Sequence, residues 1–187
     1  MSSPTDRLSR NTRFWERLAT PVLPDLGPGP RSGTLSEETV MTRLLEVTDG
    51  LTLTAAAMDL LSATALLYHD HHDPAHDLVQ DLGDRDGCLI HAILHRREPD
   101  YWNAAYWFRR VSGHPIYRAA TPAAIRSAQS QEARAVLERL TLSGTLDPVA
   151  LVRECERAAE RPAAEPVGYL RTVQHLEFAA LVEHLIA

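Results

Sequence analysis

The sequence predicts an all-α fold, a single globular helical bundle of about seven to nine helices forming one domain over 1–187. Three observations carry this expectation. Ala, Leu, Arg and Glu dominate, and alternating β-branched runs are missing. Apolar residues recur at helical spacing between Ser, Thr or Asp caps and Gly or Pro stops. The 187 residues, 44% hydrophobic and 24% charged, are enough for one ordinary buried core without disulfide or metal staples.

The first amphipathic helix is expected over about 6–19, where PVLPDLGPGPRSG breaks it, and 21–34 reads as a Pro/Gly-rich wrapping loop or linker. Ser36, followed by Glu38 and Thr39, opens a helix through about Val47 that closes near Gly50. Thr52 or Thr54 starts a longer helix running to roughly His69. Its run LTLTAAAMDLLSATALLY carries Asp59 and several Thr and Ser, so it reads as a buried helix and not a membrane span. Asp73-Pro74 makes an N-cap and N1 pair for DPAHDLVQDL, which Gly83 ends. CLIHAILHRRE follows GDRDG and stops at Pro99, and Asp100 caps YWNAAYWFRRV, which ends at Gly113. Thr121-Pro122 is expected to cap a helix through about Leu140, and Asp147-Pro148 another through about Glu160. After RPAAEP comes a last amphipathic helix, VGYLRTVQHLEFAALVEHLI.

Composition excludes several chemistries. The chain has no lysine, so Schiff-base catalysis, a P-loop lysine and a lysine general base are ruled out. A net charge of −6 argues against a general nucleic-acid binder. The stretch from Arg85 to Arg118 is nevertheless locally positive, with six Arg against Asp86, Glu98 and Asp100. Cys88 and Cys155 form no CxxC and no disulfide framework, which points to a reducing cytoplasm. MSSPTDRLSRNTRFWERL has no apolar signal-peptide core, and no membrane partner is expected.

The densest chemistry lies in 69–118, the expected site segment, which holds seven of the nine histidines. His91, His95 and Glu98 fall at i, i+4 and i+7 and share one helix stripe. Two imidazoles at that spacing can bind one metal, with Glu98 as a carboxylate neighbour. His69-Asp70-His71-His72-Asp73-Pro74-Ala75-His76 sits at a helix junction. His69, His72 and His76 are candidate further ligands, and Asp70 or Glu98 a candidate base or ligand. The bland alternative is a solvated polar turn. The implied cofactor is a divalent metal, Zn, Mn, Fe or Ni. On the next helix Trp102, Tyr106 and Arg109 share a stripe, while Tyr101, Ala104, Phe108 and Val111 form the packing face. Arg96, Arg109, Arg110, Tyr106, Trp102 and His114 are candidates for holding a small polar or anionic ligand. Structurally, Arg96, Arg97 and Arg110 would instead pair with Glu98, Asp100 or Asp86. Cys88 reads as a small core residue, and His175 and His184 as surface or packing residues outside the cluster.

From Arg85 to Pro115 the helix–PDY–helix–P pattern resembles a single tetratricopeptide-repeat unit, with Ala92, Tyr101, Ala104, Phe108 and Pro115 at matching positions. No second copy is evident, so the unit is expected as a hairpin embedded in a bundle. His91 and His95 depart from it by replacing large apolar packing residues. The run LLYHDHHDPAHDLVQDL…DGCLIHAILHRREPDYWNAAYWFRRVSGHPIY also resembles a family of uncharacterised bacterial proteins with more distant fungal members. These share a W/Y-HD…D-AH segment followed by HxxxHRRExDYxNAxYWFRRVxxHP. The resemblance covers about 68–117 and implies a shared unit joining the two His-bearing segments; it implies no activity. Three functional expectations follow: a metal-binding protein or metal-dependent enzyme, a metal-free interaction module for a protein partner, or a metal-free pocket for a phosphate- or carboxylate-bearing ligand.

Overall fold

The computed structural model describes residues 4–161 and 166–187; the start of the chain, 1–3, and most of the RPAAEP break, 162–165, lie outside the described residues. The described helices are α1 Pro4–Leu18, α2 Glu37–Thr48, α3 Ala55–Tyr68, α4 His72–Val79, α5 Arg85–Arg97, α6 Tyr101–Arg110, α7 Pro115–Ser127, α8 Gln131–Leu140, α9 Pro148–Ala159 and α10 Pro166–Leu185. A two-residue antiparallel hairpin, β1 Thr141–Leu142 and β2 Thr145–Leu146, joins α8 to α9. The fold is all-α, as the sequence predicts.

Two helices form its centre. From Leu60 to Tyr68, α3 is buried on every side, as its continuous apolar run dictates. The Ser62 and Thr64 hydroxyls within it donate back to the carbonyls of Met58 (2.8 Å) and Leu60 (2.7 Å), so both are satisfied within the helix. The second, α5, is buried from Gly87 to Leu94 and again at Arg96 and Arg97. It packs on α3, with α4 and α6 against its flanks, while α10 packs on α3 and α7. No described helix is long and apolar enough to cross a membrane.

Three local expectations are corrected. The predicted 121–140 helix is two helices. His114 caps α7, with Pro115 at its first position, and Ser130 starts α8 by accepting from the Ala133 amide at 3.0 Å. Pro122 lies inside α7, where its missing N–H frees only the carbonyl of exposed Arg118. Thr121 caps nothing; its buried hydroxyl donates to Tyr117 O (2.6 Å) and accepts from Leu146 N (3.0 Å), tying α7 to β2. Second, α4 starts at His72, with Asp73 in its first turn. Third, 141–146 forms a hairpin, because Ser143 and Gly144 take the left-handed φ of 52° and 80° that suit a tight two-residue turn.

The reason α4 starts early is the exit from α3. The amides of Asp70 and His71 donate to Leu67 O (3.2 Å) and Leu66 O (3.0 Å), which is a Schellman motif with Asp70 at its left-handed position, φ 68°. Glycine is the usual occupant, so a carboxylate must be needed there. Asp70 is buried between Arg31 and Arg97, and Arg97 Nη2 lies 2.6 Å from its Oδ1. The Arg31 amide donates to its Oδ2 at 2.9 Å. The remaining guanidinium N–H groups reach Tyr68 O (2.7 Å), Gly27 O (3.2 Å), Asp25 O (3.3 Å) and Leu67 O. This triad clamps the 21–34 loop onto α3 and α5. Gly29, at φ 84°, allows the close approach: a Cβ there would stand 2.6 Å from Asp70 Oδ2.

Candidate metal centre

The structure brings His76, His91 and His95 together, with one ligand atom from each lying within 4.8 Å of the other two. The local sequence explains the convergence. His91 and His95 stand one turn apart on α5, and α4 buries Ala75 and Val79 in the core, which places His76 between them facing α5. The His91 and His95 rings stack at 4.7 Å, and His76 meets His91 edge-on at 4.9 Å and His95 at 6.1 Å. On its other side His91 stacks against the Trp107 ring at 4.5 Å and 20°.

His91 is 6% exposed, yet neither of its ring nitrogens has a hydrogen-bond partner among the described residues, and the same holds for His76. The fully buried nitrogen left unpaired at this centre is His95 Nδ1, and unpaired buried polar groups cost free energy. Burial, and then the neighbouring His95 and His76, push the His91 pKa down to about 4, so the ring is neutral and its lone pair free at neutral pH. Burial also lowers His95, against the opposing pull of Glu98 and Asp100. His95 Nε2 stands 3.2 Å from Asn103 Nδ2, while Nδ1, 3.2 Å from Glu98 Oε2, is buried without a hydrogen bond. A metal on one edge leaves the other to a hydrogen-bonding partner, the arrangement that orients metal-ligating imidazoles. Zn–N bonds of about 2.0–2.1 Å need ligand atoms roughly 3.3 Å apart in a tetrahedron, so the three side chains would have to turn inward from their present separations of up to 4.8 Å.

The other predicted ligands go elsewhere. Both nitrogens of His69 are committed, Nε2 to Leu18 O at 2.9 Å and Nδ1 to the Leu35 amide at 3.2 Å. His69 therefore tethers the ends of α1 and the loop and is not a ligand. His72 faces back to Asp70 O (3.3 Å), on the 21–34 loop side of α4. Its Nε2 is buried without a partner, but it is absent from the converging set. Asp70, its side chain 1% exposed, is committed to Arg31 and Arg97 and lies outside the converging histidines, so it is a structural carboxylate and not the expected base.

Among the candidate ligand-binding residues, Arg96 is fully buried and paired with Glu177, with Gln174 Oε1 at 3.3 Å and Tyr117 donating to Glu177 at 2.7 Å. It is a core cation beyond the reach of any ligand. The expected structural partners were also different: Arg96 and Arg97 pair with Glu177 and Asp70, far along the chain, and not with Glu98, Asp100 or Asp86. Arg109 and Arg110 are exposed. Arg110 stands 5.4 Å over the ring of Trp107 and 5.8 Å over Tyr106, so the metal centre and the arginine share one aromatic wall. Trp102 is 80% exposed and stacks on Tyr106 at 6.3 Å. His114 lies apart from the centre, buried and 2.8 Å from Asp86 Oδ1. His184, an exposed residue outside that centre as expected, joins it there at 3.1 Å. His175 does pack, against Trp15 and Tyr68.

Sequence reasoning undervalued Trp107 and Asn103. Both face α5 across the α5–α6 hairpin, a relation that helical spacing within one helix does not encode. Compared with known proteins, the chain matches no family model, and no curated protein or solved structure is significantly similar to it.

Proposed function

We propose that the chain is a divalent-metal-binding protein whose His76–His91–His95 centre acts on a small polar or anionic ligand. The observation that carries this is the convergence of three imidazoles, one ligand atom of each lying within 4.8 Å of the others, with His95 Nδ1 buried and without a hydrogen bond. Three imidazole nitrogen donors suit zinc, and also iron, nickel or manganese. Such an ion would supply Lewis acidity or lower the pKa of bound water. Glu98, exposed beside His95, is placed to take a proton or to orient that ring. Asn103 fixes the opposite edge of His95, Trp107 shields His91 from water, and Arg110 offers a cation to an anionic ligand at the rim. Two free, buried cysteines support a reducing compartment.

The test is elemental analysis of tag-free protein purified without chelators, beside a His91→Ala/His95→Ala variant. Near-stoichiometric metal in the parent, lost from this centre in the variant, is expected. A parent that binds no more of any of the four metals than the variant overturns the proposal. One observation favours a second reading, a surface for a protein partner: Trp102, Tyr106 and Arg110 form an exposed stripe on α6, and Trp, Tyr and Arg are the residues that anchor interfaces.

A further inference from the structure

Asp86, His114 and His184 come from three different places in the fold. Asp86 is in the first turn of α5, His114 caps α7, and His184 lies in the last turn of α10. Two imidazoles address a single carboxylate oxygen, with His114 Nε2 at 2.8 Å and His184 Nε2 at 3.1 Å from Asp86 Oδ1. One ligand atom from each lies within 4.8 Å of the others. We infer that Asp86, His114 and His184 hold a second divalent transition-metal ion, separate from the His76–His91–His95 centre, which fastens the end of α10 to the starts of α5 and α7.

Four features support this site. The donor set of two imidazoles and one carboxylate is one that zinc, iron(II), cobalt(II) and manganese(II) accept with positions left over. His114 Nε2 and His184 Nε2 stand 2.8 and 3.1 Å from Asp86 Oδ1, near the roughly 3.3 Å that ligand atoms adopt around a tetrahedral ion, and coordination requires each ring to present a lone pair where it now donates a proton. The donors are held in place: His114 is buried, and each of the three is on or at the end of a helix. Entry is open, since the side chains of His184 and Asp86 are 37% and 27% exposed.

The charge balance predicts what completes the site. One carboxylate does not neutralise a divalent ion, and Arg85 next door turns its guanidinium to Ser112 O at 2.6 Å. The remaining positions therefore suit hydroxide or a small anion, not another cationic group.

The test compares full-length protein stripped with chelator and dialysed, in four forms: parent, His184→Ala, His91→Ala/His95→Ala, and the triple variant. Each is titrated with Zn²⁺ for stoichiometry and with Co²⁺ for its visible d–d absorption. His184 is on the surface, so its removal should leave the helical circular dichroism unchanged. The expected result is one bound ion fewer in His184→Ala than in its parent, in both backgrounds, and a Zn²⁺-dependent rise in Tm for His91→Ala/His95→Ala that disappears in the triple variant. Equal stoichiometry with and without His184 overturns this site and leaves the His76–His91–His95 centre standing. Loss of metal on His184→Ala alone, with His91→Ala/His95→Ala unaffected, supports this site and overturns the other.

Discussion

Asp70 shows how one residue can look catalytic in the sequence and prove structural in the fold. A carboxylate among four histidines suggests a base; its left-handed backbone, its burial and its two arginines make it a clamp. Removing one member of such a buried set leaves uncompensated charge. Asp70→Asn should lower stability by about 3–5 kcal/mol in urea unfolding of the metal-free protein. Arg31 and Arg97 would then face a neutral amide while their other N–H groups stay bonded to carbonyls. A change below about 1 kcal/mol would contradict the clamp, since that is the scale of exposed pairs.

At the scale of elements, His69 joins the end of α3 to the end of α1 through Leu18 O and to the loop through the Leu35 amide. Burial pushes its pKa down to about 4 from the ordinary 6.5. As pH falls through 6.5 the unfolded chain takes up a proton on this ring, and the folded chain does not until about 4. The stability His69 contributes is therefore complete above 6.5, is lost progressively toward 4, and is level below that. The full loss is on the order of 3 kcal/mol by linkage. Urea midpoints measured across this range should fall for the parent and fall less steeply for His69→Gln. Equal slopes would show that the ring is protonated in the folded state or already satisfied in the unfolded one.

At the scale of the whole molecule, charge buried in the core joins helices distant in sequence. Arg96 of α5, Tyr117 of α7 and Gln174 and Glu177 of α10 form one hydrogen-bonded set with no path to solvent. Arg96→Met should cost about 3–5 kcal/mol, because Glu177 is left ionised in the core with Tyr117 as its main partner. Arg96→Met/Glu177→Leu should recover a large part of that loss, since an apolar pair of similar volume often replaces a buried ion pair without penalty. Chemical denaturation of the two single variants and the double variant closes the cycle. A double variant as unstable as the sum of the singles would show that the pair does not act as a unit.

Much of this protein was legible in its sequence. Apolar spacing, Ser36, Thr54 and Asp100 as caps, and Pro99 as a stop place most helices, because those signals act within a turn or two of the residue that carries them. The stripe of His91, His95 and Glu98 was also visible, since helix geometry alone aligns it. The pairing of His76, and not His69 or His72, with that stripe was decided by the way α4 lies along α5. The same holds for Arg96 and Glu177, 81 residues apart, and for Asp86 and His184, 98 apart. Local spacing reports which face of a helix a side chain shares. Which element lies against that face depends on packing between segments far apart in the chain, and only the tertiary structure decides it.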